Sequence, residues 1–86
     1  LDEKTYAPAL VAGCTTVAVR RAETGDLAGA VSFFERATSL APENASLHLD
    51  LADALAEVQR YPEAVAQWRI VLALEPEHPQ RTRVLN

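Results

Sequence analysis

The sequence predicts an all-α fold in which antiparallel helix pairs repeat along the chain. Three observations support this fold class. Short motifs recur at one fixed spacing, apolar residues follow the period of about 3.6 residues that is typical of α-helices, and alanine supplies 16 of the 86 residues. Alanine favours helices and lets helix backbones approach closely. Three glycines and five prolines are too few for a turn-rich β-sheet protein.

The repeat is clearest at the end of each helix pair. The motif LAPE at Leu40–Glu43 recurs as LEPE at Leu74–Glu77. We call the interval from Pro42 to Pro76 the repeat length. Superposing residues 11–44 on residues 45–78 aligns eight identical residues. In the first segment, the residues identical to their counterparts in the second are Ala18, Ala22, Glu23, Ala30, Val31, Leu40, Pro42 and Glu43. Because they are mainly small residues, apolar residues and the proline after a helix, they indicate a structural repeat.

This spacing divides the chain into four segments. Residues 1–10 are a partly helical lead-in, residues 11–44 and 45–78 are two repeats, and residues 79–86 begin a third repeat or form a capping helix. The chain begins at Leu1 rather than at a methionine. We therefore expect it to be a segment of a longer protein.

The first helix is predicted to begin near Pro8, after a frayed segment at residues 1–5. Its apolar stripe recurs every three or four residues and contains Leu10, Cys14, Val17, Ala18, Arg21 and Ala22. Gly25 is expected to end this helix, because glycine readily adopts the left-handed conformation that follows a helix end.

Asp26 is expected to cap the second helix, because its carboxylate can accept hydrogen bonds from free backbone N–H groups. The face of this helix that should be buried contains Leu27, Ala30, Val31, Phe34, Ala37 and Leu40. Pro42 prevents the helix from continuing.

The second repeat shows the same order of signals. Asn44 is expected to cap a third helix, and Gln59 and Arg60 form a short turn. Pro62 suits the first turn of a fourth helix, where its missing N–H has no intrahelical partner to lose. The apolar stripes of these two helices contain Leu47, Leu51, Ala52 and Leu55, and then Val65, Trp68, Val71, Leu72 and Leu74. His78 and Pro79 resemble the start of a fifth helix.

A helix–turn–helix period of about 34 residues resembles the tetratricopeptide repeat family. Both repeats match the family pattern at its small, aromatic and proline positions, but lack the Trp and Tyr of its first helix. The matching residues are Ala30, Phe34 and Pro42, and then Ala64, Trp68 and Pro76. The resemblance implies a short right-handed α-solenoid whose first helices line a concave, partner-binding side.

The resemblance also implies which residues bind a partner peptide or helix. They are Thr15, Val19, Glu23, Leu49, Asp50, Asp53, Glu57 and Arg83, with Thr16 and Ser46 on the same side. We call these ten residues the inner stripe. Its first part is apolar to neutral and its second part is acidic, so a partner segment with basic and apolar residues would suit it.

Composition excludes several classes of function. The net charge of −4 disfavours nucleic acids and anionic membrane surfaces as partners. No apolar run approaches the roughly 18–20 residues that membrane insertion needs. Cys14 is the single cysteine, so an internal disulfide and a cysteine-based zinc site are excluded. The compartment is left open, with a leaning towards the cytoplasm.

Few residues suggest chemistry. Cys14 and His48 occupy equivalent places on the apolar stripes, where a packed structural role is more common than a reactive one. Asp50 and Asp53 are three positions apart, which is compatible with a catalytic pair but more typical of a solvated acidic face. We expect no catalytic residue, no metal ion and no cofactor.

These observations favour a non-catalytic protein–protein interaction module or assembly scaffold. One alternative is a regulatory or docking domain of a larger enzyme whose catalytic part lies elsewhere. Another alternative is a self-assembling unit that forms homo-oligomers through its exposed repeat ends, because a repeat array needs neighbours to cover its terminal faces.

Overall fold

The computed structural model of the chain describes residues 3–75, with side chains from Leu10 onward. None of the residues in this range forms a strand. The four helices are α1 (Glu3–Glu23), α2 (Leu27–Leu40), α3 (Ala45–Glu57) and α4 (Tyr61–Leu74). Each helix packs against the next one along the chain, and the short turns between them make successive helices antiparallel. The predicted all-α fold of stacked helix pairs is thus confirmed.

The turns inside the two pairs share one geometry at equivalent positions of the repeat. After α1, Gly25 has a φ of 89°, and the next N–H donates to the carbonyl of Arg21 at 2.8 Å. After α3, Gln59 has a φ of 65°, and the next N–H donates to the carbonyl of Leu55 at 2.8 Å. Both are Schellman endings, in which a left-handed residue follows the helix. The second turn therefore keeps this geometry without a glycine.

The predicted N-caps of α2 and α3 are present. Asp26 accepts a hydrogen bond from the backbone N–H of Gly29 at 3.0 Å, and Asn44 accepts one in the first turn of α3 at 3.4 Å. Arg60 precedes α4 and makes no side-chain cap; its Nε instead donates to Glu63 Oε1 at 2.9 Å. Side-chain caps therefore fix the starts of α2 and α3 but not the start of α4.

The core depends on small residues at the helix contacts. Ala18, Ala30, Ala52 and Ala64 are each 0% exposed, as the close approach of helix backbones requires. A buried cluster joins all four helices and includes Val31, Phe34, Leu51 and Leu55 beside three of these alanines.

The start of α1 differs from the prediction. The helix begins at Glu3, so Pro8 lies inside it rather than near its first turn. Pro8 is the sixth residue of this helix, where it cannot donate the usual hydrogen bond to the carbonyl four residues earlier. The predicted fraying of residues 1–5 is therefore wrong for the part of that segment in α1, and residues 1–2 lie outside the described range.

The predicted apolar stripe of α1 is largely uncovered. Leu10 is 44% exposed, Arg21 is exposed, and Cys14 and Val17 are only half-buried. Within residues 3–75, α2 covers this side of α1 only in part, although periodicity alone made it look buried. We call Leu10, Cys14, Val17 and Arg21 the N-terminal face.

The outer side of α4 is also incompletely covered. Val71 is buried, but Leu74, which the sequence placed on the buried stripe, is 38% exposed. Three further stripe residues are half-buried, and we call them the C-terminal face: Val65, Trp68 and Leu72. The predicted fifth helix, with His78 and Pro79, lies outside the described residues.

Candidate partner-binding site

The inner stripe occupies equivalent positions on α1 and α3. Its paired positions, one repeat length apart, are Thr15 and Leu49, Thr16 and Asp50, Val19 and Asp53, and Glu23 and Glu57. Each of these residues is exposed or half-buried, as is Ser46. Other sides of the same helices carry core residues such as Ala18 and Leu51. The fold thus leaves the stripe accessible, except that Arg83 lies outside the described residues.

The α1 part of the stripe forms a shallow groove. Its lining residues are Ala12, Thr15, Thr16, Val19, Arg20 and Glu23. Val19 is 43% exposed. The hydroxyls of Thr15 and Thr16 donate to backbone carbonyls one turn earlier in α1, at 2.8 and 2.9 Å. Because these hydroxyl hydrogens are used within the helix, the two threonines offer mainly their methyl groups to a ligand, beside the charged Arg20 and Glu23.

Two groove residues, Ala12 and Arg20, were missing from the sequence prediction. Ala12 lies one repeat length before Ser46 and could have been found from the repeat. Arg20 could not, because its equivalent Ala54 is buried. The groove contains no residue of α3. The structure therefore brings Thr15, Val19 and Glu23 together on α1, but does not join them to the acidic residues in one cavity.

The α3 part of the stripe is acidic. Asp50 and Asp53 lie one turn apart, and Glu57 is exposed at the end of the helix. Partial burial, together with the negative charge of Asp53, raises the pKa of Asp50 above that of an ordinary aspartate. The charged form of Asp50 is therefore disfavoured by its surroundings.

Glu23 and Glu57 also stand in unfavourable positions. Glu23 is the last residue of α1, and Glu57 is the last residue of α3. The C-terminal end of a helix carries partial negative charge and disfavours carboxylates. Both repeats thus have a glutamate at a helix end whose partial negative charge destabilises the carboxylate.

His48 has a structural role. It is 7% exposed, and its Nε2 lies 2.8 Å from the backbone carbonyl oxygen of Pro42. A carbonyl can only accept, so Nε2 carries a hydrogen. Nδ1 lies 2.7 Å from the side-chain amide of Gln67, which can turn to present its oxygen or its nitrogen. His48 therefore links α3 to the preceding turn and to α4.

Cys14 is half-buried in a groove between α1 and α2. The other lining residues are Leu10, Ser32, Glu35, Arg36, Ser39 and Leu40. No histidine lines this groove to act as a base for the thiol. Elsewhere in residues 3–75, no three His, Cys, Asp or Glu side chains are grouped to hold a metal ion.

Comparison with known families identifies the repeat. Residues 21–85, more than half of the chain, match the model of the tetratricopeptide repeat family. The chain belongs to this family. Tetratricopeptide repeats generally mediate protein–protein interactions and are generally non-catalytic. A comparison with curated proteins found no significant match.

The match covers the last turn of α1 and all of α2, α3 and α4. It begins at Arg21, in the last turn of α1, and continues beyond α4 to Leu85. The inner stripe lies on α1 and α3, which the repeat spacing predicts to be the first helices of their pairs. None of the described helices combines the length and apolar character needed to cross a membrane.

Proposed function

We propose that this chain is a non-catalytic interaction module or assembly scaffold that binds a segment of a partner protein along the inner stripe. The main support is the accessibility of the same stripe on α1 and α3, where no described residue of the stripe is buried. Family membership adds to this support, because tetratricopeptide repeats generally bind proteins.

The acidic part of the stripe favours a partner with basic residues. The carboxyl group of Asp50 lies in surroundings that raise its pKa, and the carboxylate of Glu57 lies at the C-terminal end of α3. Both cost stability in the free protein, which is typical of residues retained for binding. A bound lysine or arginine would stabilise these charges. Val19 of α1 and Leu49 of α3 supply apolar contacts on the same stripe.

A peptide library tests this proposal directly. We expect the immobilised chain to select peptides that combine basic and apolar residues, with affinity falling as salt is added because exposed charges are screened. Asp50→Asn and Glu57→Lys should each weaken binding of the selected peptides. Circular dichroism should show that both variants keep the fold.

Glu43→Lys is the matched control. Glu43 is exposed in the turn between α2 and α3 and is not part of the inner stripe, and this substitution changes the net charge as much as Glu57→Lys does. The control should bind like the unmodified chain. Equal loss in Glu43→Lys and Glu57→Lys would mean that only net charge matters, and unchanged binding in both inner-stripe variants would place the site elsewhere.

A further inference from the structure

The contact between α2 and α3 shows how one repeat covers the next. Val31 and Phe34 of α2 share a buried cluster with Leu51 and Leu55 of α3, and all four are at most 6% exposed. His48 belongs to the same side of α3 and is also buried. Equivalent positions at the two ends of the chain can be compared with this internal contact.

The N-terminal face repeats the α3 side of this contact without its cover. Cys14, Val17 and Arg21 lie one repeat length before His48, Leu51 and Leu55. Grooves follow this side of α1, one lined by Leu10 and Cys14 and another by Val17 and Arg21. The Arg21 guanidinium is held at the edge, since it donates to Asp26 at 2.9 Å and lies 5.7 Å from the ring centre of Phe33.

The C-terminal face repeats the α2 side. Val65, Trp68 and Leu72 lie one repeat length after Val31, Phe34 and Thr38. The α2 residues are buried, whereas their α4 equivalents are half-buried. The same chain therefore presents both halves of its internal contact, each incompletely covered, at opposite ends.

The two faces are also complementary in size. On α4, Trp68 replaces Phe34 and Leu72 replaces Thr38, so this half is larger and more apolar than its internal counterpart. On α1, the smaller Val17 replaces Leu51 and the smaller Cys14 replaces His48, while Arg21 replaces Leu55 and is held at the edge by Asp26. Protein interiors tolerate exchanges that conserve total volume, and here larger residues on one face meet two smaller residues on the other.

We propose that these faces bind each other between copies, so that α4 of one copy packs on α1 of the next as α2 packs on α3 within a chain. A second copy is the occupant because it supplies the complementary half. Such a contact joins different surfaces of the two partners and does not close on itself, so it produces a series of oligomers that lengthens with concentration.

Sedimentation of the 86-residue chain tests the proposal. We expect the average mass to rise with concentration above that of the 9.3 kDa single chain. Val17→Glu places a charge on the N-terminal face and should block its contact, and Leu72→Glu should do the same on the C-terminal face. Each variant alone should therefore sediment as a single chain. An equimolar mixture should form a dimer and no larger species, because one intact face remains on each variant.

Two further variants guard against a failure to fold. Cys14→Asp also places a charge on the N-terminal face, at the half-buried position equivalent to the buried His48, and should abolish association if Val17→Glu unfolds. Ile70→Arg is the control on α4: its repeat equivalent is the exposed Arg36, so it lies off the proposed contact and should still associate.

Three results would overturn the proposal. The chain could stay monomeric at every concentration, which would mean that residues 76–86 or a different protein covers α4. The mixture of the two folded variants could remain monomeric. Finally, one face variant could still dimerise alone, which would indicate a contact between two identical faces.

Discussion

At the scale of single residues, Asp50 and Asp26 show opposite relations between charge and fold. Burial and the charge of Asp53 raise the pKa of Asp50, whereas hydrogen bonds to Asp26 lower the pKa of that carboxyl. A carboxyl with a raised pKa destabilises the fold when it is ionised, and one with a lowered pKa stabilises it. The two residues should therefore give mutant effects of opposite sign.

Asp50→Asn should increase the free energy of unfolding at neutral pH, because it removes a charge that folding partly desolvates. The advantage should shrink as the pH falls through the raised pKa of the folded state, and disappear below the ordinary pKa of aspartate. Urea unfolding at neutral and acidic pH measures this change. An advantage that is the same at every pH would show that titration of Asp50 is not its cause.

Asp26→Ala should lower the free energy of unfolding at neutral pH. The N–H of Gly29 and then the Arg21 guanidinium lower the pKa of Asp26, so its contribution is present above the ordinary aspartate pKa and is lost as the pH falls through the lowered value. The difference from the unmodified chain should thus fade in acid. Asp26→Ser keeps an N-cap without the charge, so it should be less harmful than alanine at neutral pH.

At the scale of the helix-ending turns, Gln59 holds a conformation that suits glycine. A left-handed backbone costs a residue with a Cβ roughly 1–2 kcal/mol, while a new glycine adds chain entropy to the unfolded state. We expect Gln59→Gly to raise the free energy of unfolding by about 0.5–1 kcal/mol. Gly25→Ala at the equivalent turn should lower it by a similar amount, and thermal and urea unfolding of both variants provide the check. A loss of stability in Gln59→Gly would contradict this account.

The same two turns show what the sequence could predict about the elements. Gly25 identified its turn because residue type alone indicates a left-handed conformation. Gln59 carries no such signal, and only its place one repeat length after Gly25 indicates the same geometry. The links from His48 to Pro42 and Gln67 were also beyond prediction, since they depend on which side chains of three elements meet.

At the scale of the whole molecule, periodicity predicted which residues share a helix face but not whether that face is covered. Ala18 is buried and Leu10 is 44% exposed, although both belong to the predicted stripe of α1. Coverage depends on neighbouring helices, which a local pattern does not contain. The accessible inner stripe was easier to predict, because the repeat assigned equivalent positions to both first helices. The structure was needed to show that the groove on α1 contains no residue of α3.

Phe34 and Trp68 provide a test of coverage across the whole molecule. They are equivalent residues of the two repeats, but Phe34 is 6% exposed beneath α3, whereas Trp68 is half-buried on α4. Removing a fully buried aromatic side chain costs about 3–5 kcal/mol. That is a large share of the roughly 4–13 kcal/mol available to a domain of this length.

Phe34→Ala should therefore destabilise the monomeric chain more than Trp68→Ala, although tryptophan is the larger side chain. Urea unfolding followed by circular dichroism at low concentration measures both losses. If association covers α4, the loss in free energy of unfolding caused by Trp68→Ala should grow with protein concentration. The loss caused by Phe34→Ala should not, because the contact of Phe34 with α3 is complete within one chain. A larger loss for Trp68→Ala in the monomer would show that α4 is covered without a second copy.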